Sequence, residues 1–193
     1  MNASARACLI AIALILPSAA VAQESTGNWD VSVWTAGSTG EELTNSLAEA
    51  QLWSAGIFVG QMVTPRVGRR WRRGRLEYGV NLVPVLLQAR PHVLYGGGFE
   101  PLVFRWNSEI RLRGTHPYIE LAGGALQTTG NLPSGNTSSF NFTANGGGGL
   151  YVPIHEHIWD VGIRWSHVSN ANLGATNPEF NGIELRIAYH WMR

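Results

Sequence analysis

The chain has 193 residues, a formal net charge of +1, 23 glycines, 8 tryptophans and one cysteine, and its 14 basic residues are all arginine. Near-neutral charge argues against a nucleic-acid partner, and a single cysteine excludes a disulfide framework. Beyond the first 22 residues no apolar run approaches the roughly 20 residues of a membrane helix.

Residues 1–22 read as a secretory signal. Arg6 supplies the positive start, Cys8 to Val21 the apolar stretch, and Ala20-Val21-Ala22 the small-residue cleavage pattern. The mature domain is then residues 23–193, and Cys8 is lost with the signal. A small secreted domain without cysteine lacks the usual staples. An outer-membrane barrel does without them, because lipid and strand closure stabilise it. Abundant glycine and tryptophan fit the same class.

Eight segments with period-two patterning follow, each about 9 to 14 residues, the length a tilted membrane strand needs. They are Asn28 to Ala36, Leu52 to Val63, Arg75 to Leu86, Leu102 to Leu112, Tyr118 to Thr128, Ser139 to Val152, His157 to Ser169 and Asn181 to Arg193. The predicted fold is an all-β, eight-stranded antiparallel transmembrane barrel. On the polar faces lie Glu77, Glu109, Glu120, Asp160 and Glu184 with Arg105, Arg111, Arg164 and Arg186. A barrel of this size is just filled by side chains, so these charges are expected to pair inside it.

The connections after strands one, three, five and seven (Gly37 to Gln51, Leu87 to Pro101, Gly130 to Ser138, Asn170 to Phe180) are long or rich in Gly, Ser, Asn and Pro. Arg113 to Pro117 and Pro153 to Glu156 are short. Long outer loops and short periplasmic turns place strand seven running outward. The segment Pro65 to Arg75, with six arginines, then falls on the periplasmic side and reads as a basic turn near anionic headgroups.

Strand seven carries the chemistry. Trp159, Val161, Ile163, Trp165, His167 and Ser169 share one face by parity. In a soluble sheet that face would be the core; on a membrane barrel it meets lipid. A base and a nucleophile two residues apart, aimed at lipid, suggest an enzyme whose substrate is in the membrane. Such residues lie about 6.5 to 7 Å apart along a strand, a gap a histidine can lean across. Serine needs that adjacent base to act as a nucleophile.

Arg164-Trp-Ser-His167-Val-Ser169-Asn170-Ala171, followed by Asn177-Pro178, resembles the His-x-Ser-Asn-Ala motif and loop of the lipid A 3-O-deacylases (PagL-type). Pro117-Tyr118-Ile119-Glu120 and Phe140-Asn141-Phe142 add to the likeness, which covers about the last 80 residues. The resemblance implies a cofactor-free serine esterase of the bacterial outer membrane that removes the 3-O-linked acyl chain of lipid A within lipopolysaccharide. Ser169 would be the nucleophile, His167 its general base and Asn170 an oxyanion candidate. A homodimer is one further arrangement open to such a barrel.

The family pattern has a glutamate fourteen residues after the histidine, and here that position is Asn181. Asn181 shares the parity of Ile183, Leu185 and Ile187, and hence the face of His167. Glu184 has the opposite parity and groups with Arg186 and His190; a bulge could still turn it outward. Glu179 has the matching parity but falls in the loop. Asn181 is therefore the favoured third member and Glu184 the runner-up. An Asp-to-Asn change in a serine-protease triad lowers turnover about 10⁴-fold, yet Cys-His-Asn triads work.

His155, Glu156 and His157 sit in a tight turn with no clear third metal ligand. Gly146 to Gly149 precedes no helix and reads as strand glycines that allow close packing. Two other functions remain compatible with the pattern: a non-enzymatic barrel in structure or adhesion, and a lipid A acyltransferase.

Overall fold

The computed structural model describes residues 29–42, 46, 50–133 and 137–192. The signal-sequence reading and its cleavage site at residues 22 and 23 lie outside the described residues, as does the start of strand one at Asn28. Eight strands follow one another: β1 Trp29–Gly40, β2 Gln51–Met62, β3 Gly74–Arg90, β4 Leu94–Ser108, β5 His116–Thr128, β6 Phe140–Ile154, β7 His157–Ser169 and β8 Phe180–Met192. Each pairs antiparallel with its neighbours, and β8 pairs back onto β1 to close the barrel. Closure leaves no strand edge, the condition for a sheet to cross a bilayer.

Parity sorts the side chains as the sequence predicts. On β7, Asp160, Arg164, Ser166 and Val168 are buried inside, while Trp159, Val161, Ile163 and Trp165 face out. Outward apolar residues continue on the neighbouring strand as Ile183, Leu185 and Ile187. At the periplasmic end of the wall, Trp159, Tyr189 and Trp191 make edge contacts with centroids 5.3 and 5.8 Å apart. Such aromatic clusters suit the headgroup level.

The interior is a polar core. Glu120 accepts hydrogen bonds from Arg105 and Arg164, and Arg164 also donates to Glu184. His190 bridges Asp30 and Asp160, and Tyr118 donates to Asp160 at 2.8 Å. Arg105 also lies over the Phe58 ring, 3.9 Å from its centroid. Glycine makes room for one of these contacts. Gly149 and Gly162 face each other across β6 and β7, and a Cβ on either would stand 2.7 or 2.6 Å from the Tyr118 hydroxyl.

Two expectations change. Strands three and four extend through what the sequence predicts as a loop, leaving only residues 91–93 between them. Pro84, within predicted strand three, and Pro101, the last residue of the predicted loop, sit within register shifts of the ladders, where a missing N–H is tolerated. Strand four, in turn, stops at Ser108, so Glu109 and Arg111 leave the lumen. Glu109 instead accepts from Arg66 at 2.5 Å and Arg73 at 2.7 Å, tying down the arginine-rich turn around residues 70–72.

Candidate active site

The candidate site is built on the outer ends of β7 and β8. His167 and Asn181 are direct cross-strand partners, so their side chains leave the same face side by side. Ser169 follows His167 by two residues on that face. On the other flank, β6 sets the small Ala144 opposite His167 and Phe142 opposite Ser169. The histidine ring spans the gap. Its Nδ1 lies 2.8 Å from Asn181 Oδ1, and its Nε2 lies 3.0 Å from Ser169 Oγ.

This geometry selects one tautomer of the neutral imidazole. An amide oxygen only accepts, so Nδ1 carries the ring proton and donates it to Asn181. Nε2 is then the free base, accepting the Ser169 hydroxyl. The amide orientation is set in turn on its far side, where Asn181 Nδ2 donates to Glu179 Oε2 at 3.3 Å. The backbone of Asn181 is held as well: its N–H donates to Ser46 Oγ at 3.0 Å, and its carbonyl accepts from the Glu41 N–H at 2.7 Å.

The other candidates fall elsewhere. Glu184 points into the barrel, hydrogen-bonded to Arg164 at 2.8 Å, because β8 runs without a bulge between Asn181 and Glu184. Asn170, the oxyanion candidate, has the opposite parity to Ser169 and is buried. Its backbone N–H donates to Asn177 Oδ1 at 2.9 Å and its side-chain amide to the Thr176 carbonyl at 2.8 Å. Asn170 therefore braces the loop that follows Ser169. That loop turns through two left-handed residues, Ala171 (φ 51°) and Asn172 (φ 62°).

By sequence, Glu179 shares the parity of Asn181 but falls in the loop, and no role attaches to Ser46 or Asn177. Ser46 had no usable signal, being 135 residues from Asn181 in the chain.

The surroundings are apolar. Trp165, Ile183 and Phe142 are exposed on the same wall beside the three residues. A cavity of about 600 Å³ lies at the opposite mouth of the barrel among Met62, Arg66, Asn107 and Tyr151. The His167 and Ser169 side chains lie instead on the outer wall of the barrel. The arrangement can perform nucleophilic acyl transfer on a lipid ester.

Three comparisons bear on this site. The family model for lipid A 3-O-deacylase (PagL) matches residues 22–190. No curated protein matches the chain. Among solved structures, the crystal structure of the outer membrane enzyme PagL aligns with a TM-score of 0.62 at 19% identity, covering 81% of this chain and 97% of that one. At that identity the structural likeness speaks for the barrel.

Proposed function

The chain belongs to the lipid A 3-O-deacylase (PagL) family of outer-membrane ester hydrolases, and on that premise we propose that Ser169, His167 and Asn181 carry the reaction here. The supporting observation is the His167 ring, held between a hydroxyl and an amide oxygen on the lipid-facing wall near the outer rim.

Ser169 Oγ attacks the carbonyl carbon of the 3-O-linked acyl ester while its proton passes to His167 Nε2. The imidazolium keeps its Nδ1 proton on Asn181 Oδ1. Collapse of the tetrahedral intermediate breaks the bond to the sugar oxygen, which takes the proton from Nε2. The acyl group is left on Ser169. Water then gives a proton to His167 Nε2 and attacks the acyl-enzyme carbonyl. As the bond to Oγ breaks, Nε2 returns the proton to Ser169 and the fatty acid departs. The apolar wall around the site receives the acyl chain, so the ester need not leave the membrane to react.

The test is a mass spectrum of lipid A from cells expressing the protein. Loss of one 3-hydroxy acyl chain, absent with Ser169→Ala, is expected. Unchanged mass would favour a non-enzymatic barrel, and a gain of one acyl chain an acyltransferase.

A further inference from the structure

We infer that Glu179 is a positioning residue for the reaction, supplying one amide further out the negative charge that Asn181 lacks. The inference rests on the proposed roles of Ser169, His167 and Asn181, and extends them into a chain of four: Ser169, His167, Asn181, Glu179.

An asparagine beside a catalytic histidine has two weaknesses. It carries no charge to stabilise the imidazolium that forms when serine gives up its proton. Its amide can also rotate by a half turn, presenting NH₂ instead of oxygen to Nδ1. That orientation demands the other ring tautomer, with the proton on Nε2, where it cannot act as base.

Glu179 answers both. Its Oε2 accepts from Asn181 Nδ2 at 3.3 Å. A carboxylate accepts and does not donate, so only the orientation with Oδ1 toward His167 satisfies both neighbours. Its charge then polarises the amide, making Oδ1 a stronger acceptor for the imidazolium proton through a hydrogen-bonded chain. The backbone at this position is anchored too. Glu179 pairs with Ser46 in an isolated bridge, and Ser46 Oγ binds the Asn181 N–H.

The test is a set of purified variants assayed for acyl release from lipid A in detergent micelles, with folding checked by heat-modifiable migration. Glu179→Gln keeps an acceptor but removes the charge, and should lower kcat about tenfold with little change in KM. Glu179→Ala also frees the amide and should lower kcat further. In an Asn181→Glu background the carboxylate contacts the histidine directly, so Glu179→Gln should no longer lower kcat.

A Glu179→Gln kcat within about twofold of the parent would overturn the inference. So would an equal loss in both backgrounds, which marks a structural role. If Asn181→Glu does not fold, the parent background decides alone: equal kcat in Glu179→Gln and Glu179→Ala, or a change confined to KM, overturns it. The underlying reading fails separately, through undiminished acyl release by Ser169→Ala.

Discussion

His167 and Asn181 stand opposite each other across the β7–β8 ladder with Nδ1 and Oδ1 2.8 Å apart, and this pairing orients the ring toward Ser169. The relation depends on register as much as on identity. A shift of one residue between the strands would put Asn181 inside the barrel and bring an inward residue out. The ladder is regular over this stretch, and Ser46 and Glu41 bind the Asn181 backbone from the first outer loop.

On the proposed triad, Asn181 acts on kcat through the His167 ring and has little part in substrate contact. Asn181→Ala leaves the ring free to rotate and removes the acceptor that fixes its tautomer. We expect kcat to fall on the order of 10²- to 10⁴-fold, with KM changed far less. Steady-state acyl release from lipid A micelles measures both. A rise in KM at constant kcat would assign Asn181 to substrate binding instead.

Ser169 activation can be read without the natural substrate. A fluorophosphonate probe should label the wild-type protein at Ser169 and give no adduct with Ser169→Ala. His167→Ala should slow labelling on the order of 10²-fold or more, because the hydroxyl loses its base. Intact-protein mass spectrometry followed by peptide mapping detects the adduct. Equal labelling of wild type and His167→Ala would show that the histidine does not activate the serine.

The sequence makes some of this legible and hides the rest, for physical reasons. Period-two alternation reveals the eight strands and the lipid-facing stripe, since burial inside the barrel and exposure to lipid impose opposite polarity on successive residues. It likewise separates Asn181 from Glu184, because parity on a regular strand fixes the face. The predicted loop from Leu87 to Pro101 misleads: its residues are mostly strand, and the ladder absorbs Pro101 at a register shift. Adjacency to Ser169 suggests a role for Asn170 at the reacting carbonyl, and does not reveal that its side chain is buried and bonded to the Thr176 carbonyl. The Ser46 contact arises from chain closure over 135 residues, which no local pattern encodes.

Glu184 and Glu109 provide a contrast in stability. Glu184 is buried against Arg164, whereas Glu109 pairs with Arg66 and Arg73 at the partly exposed periplasmic turn. Glu184→Gln should destabilise the barrel by about 1 to 3 kcal/mol, since Arg164 keeps its bond to Glu120 but loses a charged partner in the interior. Glu109→Gln should cost less than about 1 kcal/mol, as exposed pairs do. Denaturant unfolding in detergent, followed by tryptophan fluorescence, compares the two. Equal losses would contradict the assignment of Glu184 to the interior.

Asn170 offers a choice between two roles with different magnitudes. If its side chain stabilised the oxyanion, Asn170→Ala would lower kcat about 10²- to 10³-fold, the usual effect of losing such a donor. The structure commits that amide to the Thr176 carbonyl at 2.8 Å, and the side chain is buried. The substitution leaves the backbone N–H to Asn177 in place and deletes only the brace across the loop. We therefore expect kcat to fall less than about tenfold, consistent with the loss of one hydrogen bond of roughly 1 kcal/mol. Residues 171–179 should become more susceptible to limited proteolysis, because the loop is less firmly closed. Kinetics and proteolysis on one preparation separate the roles: a large fall in kcat with an unchanged cleavage rate would return Asn170 to the reacting carbonyl.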